Sequence, residues 1–255
     1  MRIFYNNIID TAVLTASSTA AGNNTSSFAK AILADTFTFT STTGLLVIDL
    51  LAATQIKSFI IDIGNMTGGG TYTLEANATD VWTSPSFSES LTISDTALYW
   101  TGDETYRYFR LCITDTDNVS LGYIMIGSES YLQMPGIDPG VTLNYETTSS
   151  NSISNSGQNY GNIGYERLNT SFTFPMITET EGVGFLSDTV AGRQEIKAMW
   201  SEVQNINPVW IFLWANNLDE HPPVFAIFDQ DTLSMDKLSQ DGKYWKTELE
   251  ILEVF

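Results

Sequence analysis

The chain is poor in basic residues, in cysteine and in histidine, and each shortage removes a class of function. It has 11 Lys and Arg against 30 Asp and Glu, a formal charge of −19. Nucleic-acid phosphates and anionic membrane surfaces are gripped by clustered cations, so neither is an expected partner. The imbalance is spread along the chain, −8 over residues 1–135 and −11 over the rest. It reads as a soluble surface kept apart by like charge. The one cysteine, Cys112, lies inside the apolar run 111–113. It excludes an intrachain disulfide and reads as a buried thiol. The one histidine, His221, stands between Asp219-Glu220 and Pro222-Pro223. A zinc site without a second histidine or a cysteine cluster would need three or more carboxylates. No Gly-x-Ser-x-Gly frames a nucleophile, so His221 reads as a loop residue. No apolar run approaches the ~20 residues that span a bilayer. Arg2 is followed too soon by Asn6, Asn7 and Asp10 for a signal-peptide core, which predicts synthesis in the cytosol.

What is present is strand-like. Hydrophobic residues make 43% of the chain and charged residues 16%, the balance of a folded globular protein. Residues 45–51 and 56–63 are two apolar, branched runs with a short polar joint, read as two buried strands. Residues 106–113 are their expected partner. Shorter strands are expected at 36–43, 71–76 and 123–126, with a helical turn at 28–33. The two Pro-Gly signals within 133–140 mark a boundary. Beyond it, strands are expected at 143–148, 165–174, 209–214, 224–228 and 245–251, with a long Ser/Asn/Gly loop or a wide turn over 149–161. Thr178 and the acids after it resemble a helix start. A helix is expected over 193–203, where Ile196, Met199, Trp200 and Val203 share one face. The expectation is a mainly β chain. A jelly-roll β-sandwich fills 1–135, and a second β-rich (α+β) domain with one short helix near 193–204 fills 136–255.

Chemistry is sparse. Asp49 and Asp62 each interrupt an apolar strand and could form a carboxylate pair. A strand end, a solvent-facing position or a loop hydrogen bond explains each of them better. Asp115-Thr-Asp-Asn118 groups oxygen ligands, yet lacks the glycine and distal acid of a calcium loop and reads as a hairpin turn. No catalytic residue, cofactor site or metal ligand is therefore assigned. Trp82, Tyr99 and Trp100 fall on or near expected loops, where an aromatic face can stack on a sugar ring; they are the candidate glycan contacts. Trp210, Trp214 and Phe255 are candidates for the core or for a subunit interface.

Several stretches carry a resemblance. They are Ala16-Ser17-Ser18, Ala34-Asp35, Leu46-Val-Ile-Asp-Leu50 with Ile56-Lys-Ser-Phe-Ile60, Thr73-Leu-Glu-Ala-Asn-Ala-Thr-Asp-Val-Trp82 and Thr105-Tyr-Arg-Tyr-Phe-Arg-Leu111. With them residues 1–135 resemble the discoidin-like (coagulation factor 5/8 type C) jelly-roll modules of tailed-phage structural proteins. Where many such modules carry Arg-Trp, this chain has Thr38-Phe39. The opening Ile3-Phe-Tyr-Asn-Asn-Ile-Ile-Asp10 also looks like the start of such proteins. The second half resembles tail and baseplate proteins at Gly161-Asn-Ile-Gly-Tyr165, Phe172-Thr-Phe-Pro175 and Pro223-Val-Phe225. The resemblance implies a virion structural protein of the tail tip, baseplate or fibre-attachment region. Its implied partners are other tail proteins and copies of itself, and it would not be an enzyme. The alternative is a carbohydrate-binding module for host-surface attachment, with a surface glycan as partner.

Overall fold

In a computed structural model the residues described are 1–255 without 30–35, 63, 66–68, 94–96, 129–130, 135–142, 154–158, 163, 165, 181, 184–188, 205, 214–222 and 255. The chain divides into two compact units. The first takes Arg2–Tyr131 together with Trp210–Val224, and the second takes Leu132–Val209 and Phe225–Val254. The sequence places a boundary after residue 135; the division into units falls at Tyr131/Leu132, and the first unit also takes in the later segment Trp210–Val224.

The first unit holds β1 (Arg2–Phe4), β2 (Val13–Ala16), β3 (Phe37–Thr38), β4 (Thr43–Asp62), β5 (Thr71–Asn77), β6 (Phe87–Ser90), β7 (Thr92–Ile93), β8 (Ala97–Thr114), β9 (Ser120–Leu121) and β10 (Ile124–Gly127). The two expected strands around the joint at 52–55 are one 20-residue strand, β4. Its partner β8 is likewise one strand of 18 residues, and it includes the strand expected at 106–113. The two run antiparallel along nearly their whole length, with register shifts between Asp49 and Thr54 and between Ile56 and Ser58. Extra residues at such bulges bend a strand and increase its twist. The sheet therefore folds on itself. One layer is β2, the first half of β4, the second half of β8, β5 and β6. The other is β10, the second half of β4, the first half of β8 and β7.

Period-two alternation fills the space between the layers. Leu46, Ile48, Ile56, Phe59, Ile61, Leu74, Leu98, Phe109, Leu111, Ile124 and Ile126 form one buried cluster. One polar residue shapes β4. Asp49 Oδ1 accepts the Leu51 N–H at 2.8 Å, closing the bulge locally, and Leu51 is held at a φ of 67°. The apolar runs were thus correctly read as strand, while continuity through the bulge was not visible. A 3-10 turn lies at Thr25–Ala29; most of the helical turn expected at 28–33 falls outside the described residues.

The second unit has β11 (Leu132–Gln133), β12 (Tyr145–Thr147), β13 (Ser150–Ile153), β14 (Asn159–Asn162), β15 (Glu166–Thr178), β16 (Gly182–Val183), β17 (Thr189–Val190), α1 (Arg193–Val203), then β18 (Val209–Phe212, mostly counted with the first unit), β19 (Val224–Phe228), β20 (Met235–Lys237) and β21 (Tyr244–Glu253). The pair β15 and β21 is its spine, flanked by β12 on one side and by β19 and β20 on the other. Pro175 sits at a register shift between Phe174 and Ile177, where its missing N–H removes no ladder bond. The helix occupies the expected residues, burying Ile196, Met199 and Val203, with Trp200 against Phe228 at 5.4 Å between ring centroids. Two expectations fail here. The loop expected over 149–161 contains the antiparallel hairpin β13–β14. Thr178 ends a strand rather than starting a helix. Glu179 still serves a helix start, because Arg193 Nε donates to its Oε2 at 2.8 Å and Gln194 Nε2 to its Oε1 at 3.2 Å. These bonds hold the Glu179 carboxyl down at about 2.

Candidate functional site

The layer β2-β4-β8-β5-β6 has one face in the core and one outside. Its register sets Val13, Asp49, Tyr108 and Asn77 in a row across four strands. Thr15, Val47, Arg110, Glu75 and Ser88 form the next row. These residues alternate with Ile48, Phe109, Leu111 and Leu74, all buried. Side chains on a strand point to opposite faces in turn, so this second set is directed away from the core.

The loop after β5 brings Trp82 onto this face. The Arg110 guanidinium lies 4.4 Å from the centroid of the Trp82 ring, a cation–π stack. The indole Nε1–H donates to Asp80 Oδ1 at 2.6 Å. Asn77 shapes the loop: its Nδ2 donates to the Val81 carbonyl at 2.7 Å, and its Oδ1 accepts from the Ala78 N–H at 2.9 Å and the Ser86 hydroxyl at 3.1 Å. Arg110 is fixed from the neighbouring strand by Glu75, with Nε donating to Oε2 at 2.8 Å and Nη2 donating to the same oxygen. The Cys112 thiol donates to that oxygen at 3.3 Å. Burial, and then the bond to Glu75, push this thiol up to about 11, so it stays protonated at neutral pH and is a poor nucleophile. Trp82 is thus a partly exposed ring pinned at its edge and against one face.

A second polar group adjoins it in the next row. Arg107 Nε and Nη2 donate to the two oxygens of Asp49 at 2.8 and 2.9 Å, and the same guanidinium lies 4.8 Å from the Tyr108 ring centroid. The Arg107 hydrogen bonds hold the Asp49 carboxyl below the usual carboxylate range. The face therefore offers two aromatic rings with hydrogen-bond donors and acceptors around them. That is the inventory for gripping a polyhydroxylated ring, whose C–H face stacks on an aromatic while its hydroxyls bond to the polar rim.

The three proposed glycan contacts are not brought together. Trp82 belongs to this face. Trp100 lies within β8, not on a loop, and is a core residue, 5% exposed, whose Nε1–H donates to Glu89 Oε2 at 2.9 Å. It packs edge-on against Phe87 at 5.5 Å. Tyr99, the next residue of the strand, faces the other way and packs on Phe212 at 5.1 Å. Of the three residues expected in core or interface, Trp210 is 1% exposed in β18, which pairs with β1, and belongs to the core. Trp214 and Phe255 lie outside the described residues, as does His221. Asp49 and Asp62 do not form a pair, since β8 sets Tyr108 opposite one and Ala97 opposite the other. Asp62 is instead largely buried, and desolvation raises its carboxyl to about 6 against the opposing pull of the Gly64 N–H. In the run 115–118, Asp115 accepts the Tyr72 hydroxyl at 2.6 Å and the Thr116 N–H at 2.6 Å, the bonds of a structural turn.

The residues that sequence reasoning passed over as contacts are Glu75, Asp80, Arg107, Tyr108 and Arg110. The signal for Tyr108 and Arg110 is the alternation in 105–111, which sets them on the face opposite Phe109 and Leu111.

No known protein-family profile matches the chain, and no curated protein sequence matches it. About half of the chain is similar to solved carbohydrate-binding modules. A fucose-binding module of Streptococcus pneumoniae is 12% identical with a TM-score of 0.42, covering 49% of this chain and 96% of its own. A family 32 carbohydrate-binding module of C. perfringens NanJ, in complex with galactose, is 10% identical with a TM-score of 0.40, covering 49% and 98%. Chitosan-binding module 1 from a chitosanase/glucanase of Paenibacillus sp. IK-5 is 13% identical with a TM-score of 0.39, covering 48% and 98%. At such identities no side chain of this protein takes a role from them.

Proposed function

We propose that the first unit is a non-catalytic carbohydrate-binding module that uses the outer face of its β2-β4-β8-β5-β6 layer. The observation that carries this is Trp82, an indole on the open face held by Arg110 at 4.4 Å and by Asp80 at 2.6 Å. A ring fixed before the ligand arrives loses little freedom on binding. Tyr108, Arg107 and Asp49 extend the rim across the adjacent row. The test is a glycan array followed by calorimetric titration of the best ligand. Trp82→Ala is expected to weaken that binding by at least ~10-fold with an unchanged melting temperature. An equal affinity in the variant would remove the site.

A second reading concerns setting. The sequence resemblance to tailed-phage structural proteins supports a place in a virion tail or baseplate. There the module would face a host-surface glycan and the second unit would contact other tail proteins or further copies of this chain. Large apolar side chains standing in solvent on the second unit favour it: Met176 at 62%, Ile206 at 73% and Leu238 at 52% exposure. Mass spectrometry of purified particles tests this reading. Finding the protein in infected-cell lysate and never in particles would overturn it.

A further inference from the structure

We propose that the ligand of this face is an uncharged glycan and that carboxylate-bearing glycans, such as uronate polymers, are excluded from it; this rests on the carbohydrate reading above. A carboxylate on a sugar is captured best by arginine, whose planar fork matches its two oxygens. Two arginines stand on the face, and each has its Nε/Nη2 edge already occupied within the fold. Arg107 bonds both oxygens of Asp49 through Nε and Nη2. Arg110 turns the same two nitrogens onto Glu75. Glu75 and Arg110 each keep 16% side-chain exposure, so a ligand carboxylate that displaced Glu75 would leave a poorly solvated charge without its partner. Breaking such a pair costs far more than the pair contributes.

The remaining balance points the same way. Asp80 uses Oδ1 for the Trp82 indole and has no cationic partner among the described residues. Asp49, Glu75 and Asp80 against Arg107 and Arg110 leave this face net negative, on a chain of formal charge −19. An anionic chain approaching it meets like charge, which opposes association and the complex alike. A neutral sugar meets no such barrier. It stacks on the indole, and its hydroxyls bond to carboxylate lone pairs and guanidinium N–H groups without disturbing either ion pair.

The experiment compares one chain in two forms. The uncharged oligosaccharide that binds best on the array is titrated beside the same oligosaccharide oxidised at C6 to its uronate form. Wild-type protein is expected to bind the oxidised form at least ~10-fold more weakly at low salt, with the gap narrowing as salt is added. Glu75→Gln and Asp49→Asn each release a guanidinium and are expected to gain affinity for the oxidised form. Far-UV circular dichroism and melting establish which variants are folded. If Glu75→Gln is not, Asp49→Asn and the wild-type pair of titrations still decide. Equal or tighter binding of the oxidised form by wild type overturns the selectivity and leaves the carbohydrate reading standing. Absence of binding to every glycan on the array takes down both.

Discussion

Replacing Asp62 by asparagine is expected to stabilise the protein at neutral pH and to have little effect in acid. Asp62 sits near the end of β4, where its backbone N–H donates to the Tyr123 carbonyl at 3.0 Å and its own carbonyl accepts the Gly122 N–H at 3.2 Å. Gly122 leaves the carboxyl its room, because a Cβ there would lie 2.1 Å from Asp62 Oδ2. Burial raises the folded-state value from 3.8 to about 6, the Gly64 N–H opposing it. The sign follows from which state holds the proton. Between the two values the folded protein keeps it and the unfolded chain releases it, so stability is greatest below 3.8 and falls as pH rises to about 6. Above that, the fold carries a desolvated charge at a cost of ~3 kcal/mol. Asparagine offers the Gly64 N–H an acceptor at every pH and carries no charge. Urea unfolding of wild type and Asp62→Asn at pH 4 and pH 7.5 measures the effect. The variant should be more stable by up to ~3 kcal/mol at the higher pH, and nearly equal at the lower. A gain that is the same at both pH values, or a loss at pH 7.5, would refute the reasoning.

Three further outcomes follow from packing and backbone geometry. Phe109→Ala removes a fully buried ring that lies in register between Ile48 and Ala76; chemical denaturation should show a loss of ~3–5 kcal/mol. Gly64→Ala places a Cβ 2.2 Å from the Ser120 carbonyl oxygen at a φ of +52°, and should lower stability by ~1–3 kcal/mol with a matching fall in melting temperature. Leu51→Gly should do the opposite. Leu51 is 56% exposed at a φ of 67°, a conformation glycine adopts freely, and relief of that strain should raise stability by ~0.5–1 kcal/mol.

Much of the architecture could be read before the structure, for a local reason. Hydrophobic alternation and helical spacing are set by neighbouring residues, so β5, β19 and α1 fall where the pattern puts them. Where the pattern paused, the reading went wrong. The joint expected at 52–55 is continuous strand, and Trp100, expected on or near a loop, is a core residue within a strand. Both belong to long strands that pass through bulges. A bulge is kept by the opposing strand, which no local window contains. The hairpin β13–β14 was hidden likewise, since Ser, Asn and Gly have low strand propensity and only pairing fixes them.

The sequence by itself determined that this is a mainly β protein with an acidic surface and one clear helix, and it drew attention to Trp82. Composition and spacing suffice for that, because they act over a few residues or over the chain as a whole. The tertiary structure decided what surrounds Trp82. Arg110 lies 28 positions further along the chain, and Asp49 and Arg107 are 58 apart. Their partnerships exist only because β4, β5 and β8 are set in one register. That register holds both arginines on carboxylates of the same sheet, and so sets the charge that a ligand meets.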